Sequence, residues 1–185
     1  MQRGSFGAAV LALSVLLALA CGGPPPQGGA RVEPGQPSAG EPAAPAPKIG
    51  DLITFPNDSE WVVDEAKDLG KTAKSNNQFQ ENLSTEGRYV LVKFSVKNLG
   101  PKEIRVFSQP EAIDSQGRKF KTVDSATFFI PKDGKTLALE GVGPGLKKSF
   151  YTLYELPPDA TAIKMEVWEA HKPFAADTKA VDLGL

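Results

Sequence analysis

The feature that most constrains this chain is a strict two-residue alternation from Tyr89 to Asn98. Val90, Val92, Phe94 and Val96 fall on one side, and Lys93, Ser95 and Lys97 fall on the other. Successive side chains of a strand point to opposite faces, so this pattern predicts a strand with one face on a core and the other in water. Asn98-Leu99-Gly100-Pro101 breaks it, and Glu103 to Phe107 is expected to return as a partner. Turn signals then recur. Asp114-Ser115-Gln116-Gly117 separates Glu111–Ile113 from Lys119–Lys121 as a hairpin, and Gly143-Pro144-Gly145 separates Thr136–Leu139 from Lys148–Tyr154. Ile163, Met165 and Val167 alternate with Lys164, Glu166 and Trp168, while Trp61–Val63 and Ala180–Leu183 supply strands near each end. No segment shows a sustained helical period. The expectation is an all-β, antiparallel, immunoglobulin-like β-sandwich over residues 48–185.

Before that domain the composition changes twice. Arg3 precedes an uncharged, mostly apolar run from Phe6 to Ala20, which has the form of a signal peptide and is short for a permanent membrane span. Leu17-Ala18-Leu19-Ala20-Cys21 resembles a bacterial lipobox, with Ala18 where a leucine is favoured and a small residue directly before the cysteine. The resemblance implies cleavage before Cys21, diacylglycerol on its thiol and acylation such as palmitate; two or more buried chains anchor firmly. The alternative is an ordinary secretory leader with an incidental thiol. Gly22 follows the cysteine, and with no Asp there the outer membrane is favoured if the source is Gram-negative. Residues 22–47 hold Pro24-Pro25-Pro26 and five further prolines among Gly, Ala, Gln and Ser, a composition that builds no core. At about 3.1 Å per residue such a tether spans at most roughly 80 Å. The expected organisation is therefore a leader over 1–20, a lipidated cysteine and linker over 21–47, and a domain over 48–185.

Within the domain, Lys48-Ile49-Gly50-Asp51, the strand closing on Asn98, Ile113-Asp114-Ser115-Gln116-Gly117-Arg118-Lys119-Phe120, Gly143-Pro144-Gly145 and Tyr154-Glu155-Leu156-Pro157 resemble the DUF4352 family. That family comprises secreted or lipid-anchored bacterial proteins with an MPT63-like, immunoglobulin-like fold. The resemblance covers nearly all of residues 48–185 and implies a fold. It carries over no catalytic residues.

Charge and chemistry narrow the function. Lys and Arg number 21 against 22 for Asp and Glu, so no global field favours nucleic acid. The single cysteine excludes an internal disulfide. His171, the one histidine, is expected to be solvated in a loop, without a nucleophile motif to serve. Met165 is expected on the core face, and Asp64, Glu65 and Asp68 read as a solvated strand end, since no loop of alternating oxygen donors accompanies them. The chain is expected to be neither an enzyme nor a carrier of metal or cofactor.

Lys67 to Gly87 reads as a long polar interruption between strands, either a functional loop or a variable insertion. Asn76, Asn77, Phe79 and Leu83 within it combine hydrogen-bonding groups with apolar anchors, the composition of a recognition surface. The leading expectation is a monomeric, lipid-anchored, non-catalytic envelope module with an unknown protein or ligand as partner. The alternatives are a structural envelope role without a dedicated ligand and, further off, a hydrolase or metal carrier.

Overall fold

The computed structural model describes residues 45–105, 109–172 and 177–185. The expected leader over 1–20, Cys21 and residues 22–44 of the expected linker lie outside the described residues. Ala44–Leu185 forms one compact unit. Its strands are β1 (Ile53–Phe55), β2 (Ser59–Ala73), β3 (Leu83–Asn98), β4 (Ala112–Ile113), β5 (Lys119–Phe120), β6 (Lys147–Leu156), β7 (Lys164–Trp168) and β8 (Thr178–Asp182). They form two four-stranded sheets, ordered β1-β2-β3-β6 and β5-β4-β7-β8, in which every strand pairing is antiparallel. The sandwich expected from the alternation is the one observed.

The inward residues of β3 are those the alternation assigns: Val90, Val92, Phe94 and Val96 are all fully buried. Phe150 packs at a tilt against Phe94 with centroids 5.8 Å apart, Phe94 stacks on Trp61 at 5.8 Å, and Trp61 packs at a tilt against Trp168 of the second sheet at 5.7 Å. This row of rings joins the layers, and burying each large side chain contributes on the order of 2–3 kcal/mol. Met165 lies on the core side as expected, fully buried.

The flanks of the sandwich are drawn together by short bridges. On one side Lys48 bridges Asp182, and the Lys179 ammonium donates to the Thr54 carbonyl at 3.0 Å while sitting over the Phe55 ring. On the other, the chain leaves β5 and bridges Thr122 to Tyr154, so it crosses from the second sheet to the edge of β6. The Asn98 side chain explains why a strand should close on this residue. Its Nδ2 donates to the carbonyls of Val142 and Lys102, its Oδ1 accepts the Gly100 N–H, and its backbone pairs with the Gly143–Leu146 turn.

Four expectations need correction. Residues 67–87 are not a loop: β2 runs on to Ala73 and β3 starts at Leu83, so only residues 74–82 connect them. The register shifts between Val63 and Glu65, Asp68 and Gly70, and Gly70 and Thr72, and each shift resets which residues face inward. A fixed two-residue period cannot follow that phase, which is why the segment reads as irregular. Thr136–Leu139 is not a strand, since Leu137–Leu139 forms a 3-10 turn whose Leu137 plugs the main core. Ser95 is buried and not solvated, its hydroxyl donating to Asp64 at 2.6 Å. Asp64 and Asp68 lie within β2 and not at its end, Asp68 accepting from Arg88 at 2.8 Å. The return strand expected over Glu103–Phe107 falls partly outside the described residues. Within them, Ile104 makes one antiparallel bridge to Val142.

A second apolar cluster lies on the outer face of the first sheet. Ala73, Tyr89, Ala126, Phe129 and Leu153 are buried there, with Leu69, Leu83, Leu91 and Val123 packed around them. Leu91 and Leu153 are register partners. Because β3 presents Tyr89 and Leu91 outward before it presents Lys93, this end of the face needs a cover, and the segment around the 3-10 turn Ala126–Phe128 supplies it.

Candidate functional site

The β2–β3 connection and its cover meet at one end of the unit. Short polar side chains set the connection. Asn77 Oδ1 accepts the Phe79 N–H at 3.0 Å, the Asn77 carbonyl accepts Gln80 N–H, and the Ser75 hydroxyl donates to Asn77 O. Asn and Ser side chains favour turns because they supply such local bonds. Asn76 points the other way: Nδ2 donates to the carbonyls of Thr127 at 3.1 Å and Ile130 at 2.9 Å, and its N–H donates to Phe128 O at 2.7 Å. The connection is thereby fastened to the 3-10 turn.

The consequence is a braced platform from which Phe79 projects, 87 % exposed, with Phe128 at 40 % beside it. An open groove of about 630 Å³ is lined by Asn76, Asn77, Phe79, Thr127, Phe128 and Lys132, among others. Of the four residues singled out in the sequence, the structure brings Asn76, Asn77 and Phe79 to this groove. Leu83 is elsewhere, as it pairs with Ala73 and packs into the second cluster. It is half-buried against that cluster and not an exposed anchor. Phe128 and Lys132 went unnoticed in the sequence, because contact across some fifty positions leaves no local signal. Their only hint is Phe128-Phe129, of which one ring can be buried and the other cannot.

A second groove of about 450 Å³ lies behind Phe129, Ile130 and Pro131, with Leu69 and Leu91 in its wall and Lys67, Asp68, Thr72 and Lys74 on its rim. The two flank the same segment.

His171 belongs to another region. It is half-buried and not freely solvated: its N–H donates to Asp58 Oδ2 at 3.0 Å, and Nε2 lies 3.1 Å from Asn98 Oδ1. Asn98 Nδ2 already serves two carbonyls, so Oδ1 is the acceptor and Nε2 carries the proton. Asp58, also buried, accepts from Ser59 Oγ and Ala170 N–H, and Ser59 Oγ in turn accepts from Trp61 Nε1 at 3.1 Å. This is a clasp between the start of β2 and the segment after β7. The ring nitrogen meets an amide oxygen, an arrangement that orients a side chain and activates no nucleophile. Among the described residues no group of three His, Cys, Asp or Glu side chains is placed to hold a metal ion.

Among the described residues the perturbed carboxylates are each paired with a cation, Asp114 with its side chain buried and Asp159 and Glu140 nearer the surface. Burial alone would raise the Asp114 carboxyl, yet hydrogen bonds from the Arg118 side chain and from the Arg118 and Gln116 N–H groups hold it below its ordinary value. Arg118 likewise lowers Asp159, and Lys135 with Lys148 lowers Glu140. Burial pushes the Tyr154 phenol far up, and its hydroxyl donates to Pro110 O at 2.7 Å. These are structural roles.

The chain matches no protein-family model and no curated protein in sequence. In structure it is similar to the yjhA protein of Bacillus subtilis, with TM-score 0.55 and 14 % identity over 74 % of this chain and 98 % of that one. A conserved hypothetical protein from Bacillus anthracis aligns with TM-score 0.51 and 11 % identity over 72 % and 93 %. The secreted protein MPT63 of Mycobacterium tuberculosis aligns with TM-score 0.46 and 16 % identity over 66 % and 90 %. Identities of 11 % and 14 % in the first two carry the fold and nothing of activity.

Proposed function

We propose that this chain is a lipid-anchored, non-catalytic envelope module that binds a partner through the end of the sandwich bearing Phe79. The observation that carries the reading is Phe79 itself, a large apolar ring left 87 % exposed on a connection braced by Asn76. Exposed rings on ordered supports lose little entropy on docking, and aromatic residues supply a disproportionate share of binding energy. The lipobox-like Leu17–Cys21 supports the anchor, which makes Cys21 the acyl acceptor and residues 22–47 the spacer. Export to the outer membrane of a Gram-negative source and the DUF4352 affiliation belong to the same reading. The non-catalytic part is supported by what occupies the chain's few reactive groups: His171 is held by Asn98 and Asp58, and the only cysteine is Cys21.

Two measurements test it. Cys21→Ser is expected to abolish incorporation of a palmitate analogue and to release the protein from membranes or leave it uncleaved; unchanged labelling sinks the anchor. Phe79→Ser is expected to remove any stoichiometric partner recovered with the full chain from envelope extracts. Retention of that partner by the variant would move recognition away from this end.

A further inference from the structure

Resting on the binding-module reading above, we propose that the groove beside Phe79 is a saccharide site that takes an acidic glycan chain, with Phe79 and Phe128 as stacking faces and Lys132 as the cation for a sugar carboxylate. Three features of the groove support this occupant. The first is the pair of rings. Phe79 is 87 % exposed and Phe128 40 %, and both line the same open groove of about 630 Å³. An aromatic face carries negative charge density, and the C–H groups on one side of a pyranose ring lie flat against it. Asn76, bonded to the carbonyls of Thr127 and Ile130, holds the two walls together, so little order is lost when a sugar docks between them.

The second is the polar groups beside the rings. Asn77, Gln78 and Thr127 also line the groove. Their bonds within the protein use Asn77 Oδ1 and backbone atoms of Asn77 and Thr127, which leaves Asn77 Nδ2, the Gln78 amide and the Thr127 hydroxyl without a partner among the described residues. An amide and a hydroxyl both donate and accept, as sugar hydroxyls do, so neighbouring hydroxyls can be matched in either sense. A protein-binding centre gathers apolar anchors and keeps polar groups at its rim. Here Gln78 directly precedes one ring and Thr127 the other.

The third is charge. Lys132 is the one charged side chain in the lining, and it makes no ion pair among the described residues. It stands on a turn closed by the Gly134 N–H donating to the Pro131 carbonyl at 2.7 Å. A Cβ on Gly134 would come within 2.9 Å of that carbonyl oxygen and of the Tyr151 ring, so the turn packs too closely for any other residue. The acids nearest in sequence, Glu81 and Asp133, are exposed but do not line the groove. A lone cation in a lining without carboxylates favours an anionic ligand. At an exposed position its effect is screened, so the rings and amides carry most of the affinity and Lys132 the preference for acid.

The test uses the full chain purified from its producing cell and fluorescein-labelled hexagalacturonate, hexamannuronate, neutral cellohexaose and a hexaglutamate peptide, read by fluorescence anisotropy. At least one uronic oligomer is expected to bind saturably, more tightly than cellohexaose and hexaglutamate. Phe79→Ser should weaken it about tenfold or more. Lys132→Gln should weaken it about threefold and leave cellohexaose as it was. Both positions are exposed, so the circular dichroism spectrum should be that of the parent. Lys67→Gln, in the other groove, should bind as the parent does. The proposal is overturned if neither uronic oligomer binds up to roughly 1 mM, if cellohexaose or hexaglutamate binds equally well, or if Phe79→Ser binds like the parent. A protein recovered from envelope extract and lost with Phe79→Ser, with no saccharide bound, would overturn this proposal and leave the module reading intact.

Discussion

At the scale of single residues, much of the fold depends on polar atoms with no water to turn to. Asp58 is the clearest case, accepting from Ser59 Oγ and from the N–H groups of Ala170 and His171. Asp58→Ala strands those buried donors and is expected to cost about 3 kcal/mol, read as a lower urea midpoint. Gly87 is a steric requirement, for a Cβ there would collide with the Leu156 carbonyl oxygen. Gly87→Ala should destabilise by about 1–3 kcal/mol, and an unchanged midpoint would mean that β6 yields easily. The acidic pairs set the pH dependence. Asp114, Asp159 and Glu140 have folded pKa values below their ordinary ones, so their contribution is complete above those ordinary values and is lost as pH falls through the folded values. The urea midpoint should be level above about pH 5 and fall below about pH 4. Arg118→Gln should lower the midpoint at neutral pH and shrink that acid-side fall. An acid limb unaltered in the variant would remove Arg118 from the explanation.

At the scale of elements, the β2–β3 hairpin separates positions that look alike in sequence. Phe79 and Leu83 are both apolar residues in a polar stretch, but Phe79 projects from the connection and Leu83 pairs with Ala73 over the second cluster. Phe79→Ser is expected to shift stability by less than about 0.5 kcal/mol, whereas Leu83→Ser should cost about 1–3 kcal/mol. Equal effects in chemical unfolding would deny the distinction. Any replacement of the connection by Gly and Ser must therefore spare Asn76 and Leu83, which hold it to Thr127 and Ile130 and to the second cluster.

At the scale of the whole molecule, one compact unit spans Ala44–Leu185, has two packed sheets and contains no cysteine. Residues 48–185 produced without residues 1–47 should fold alone, with a β-type far-ultraviolet circular dichroism spectrum and a thermal midpoint indifferent to reductant. A spectrum dominated by helix, or an aggregate in place of a cooperative transition, would contradict an autonomous domain.

The sequence by itself determined the parts whose signal is local and periodic. Val90, Val92, Phe94 and Val96 specify β3 and its buried face, Asp114–Gly117 specifies a turn because Asp114 bonds its own following N–H groups, and Met165 and Val167 mark the inner face of β7. Only the tertiary structure decided where the periodicity slips or where distant segments meet. Bulges reset the phase of β2, so residues 67–73 and 83–87 hid a ribbon inside what reads as a polar loop. The outward Tyr89, Leu91 and Leu153 signalled a second apolar face, but their cover lies more than thirty positions from Leu91. The candidate site depends on that docking. Asn76 grips carbonyls at Thr127 and Ile130, and nothing local at either place records the other.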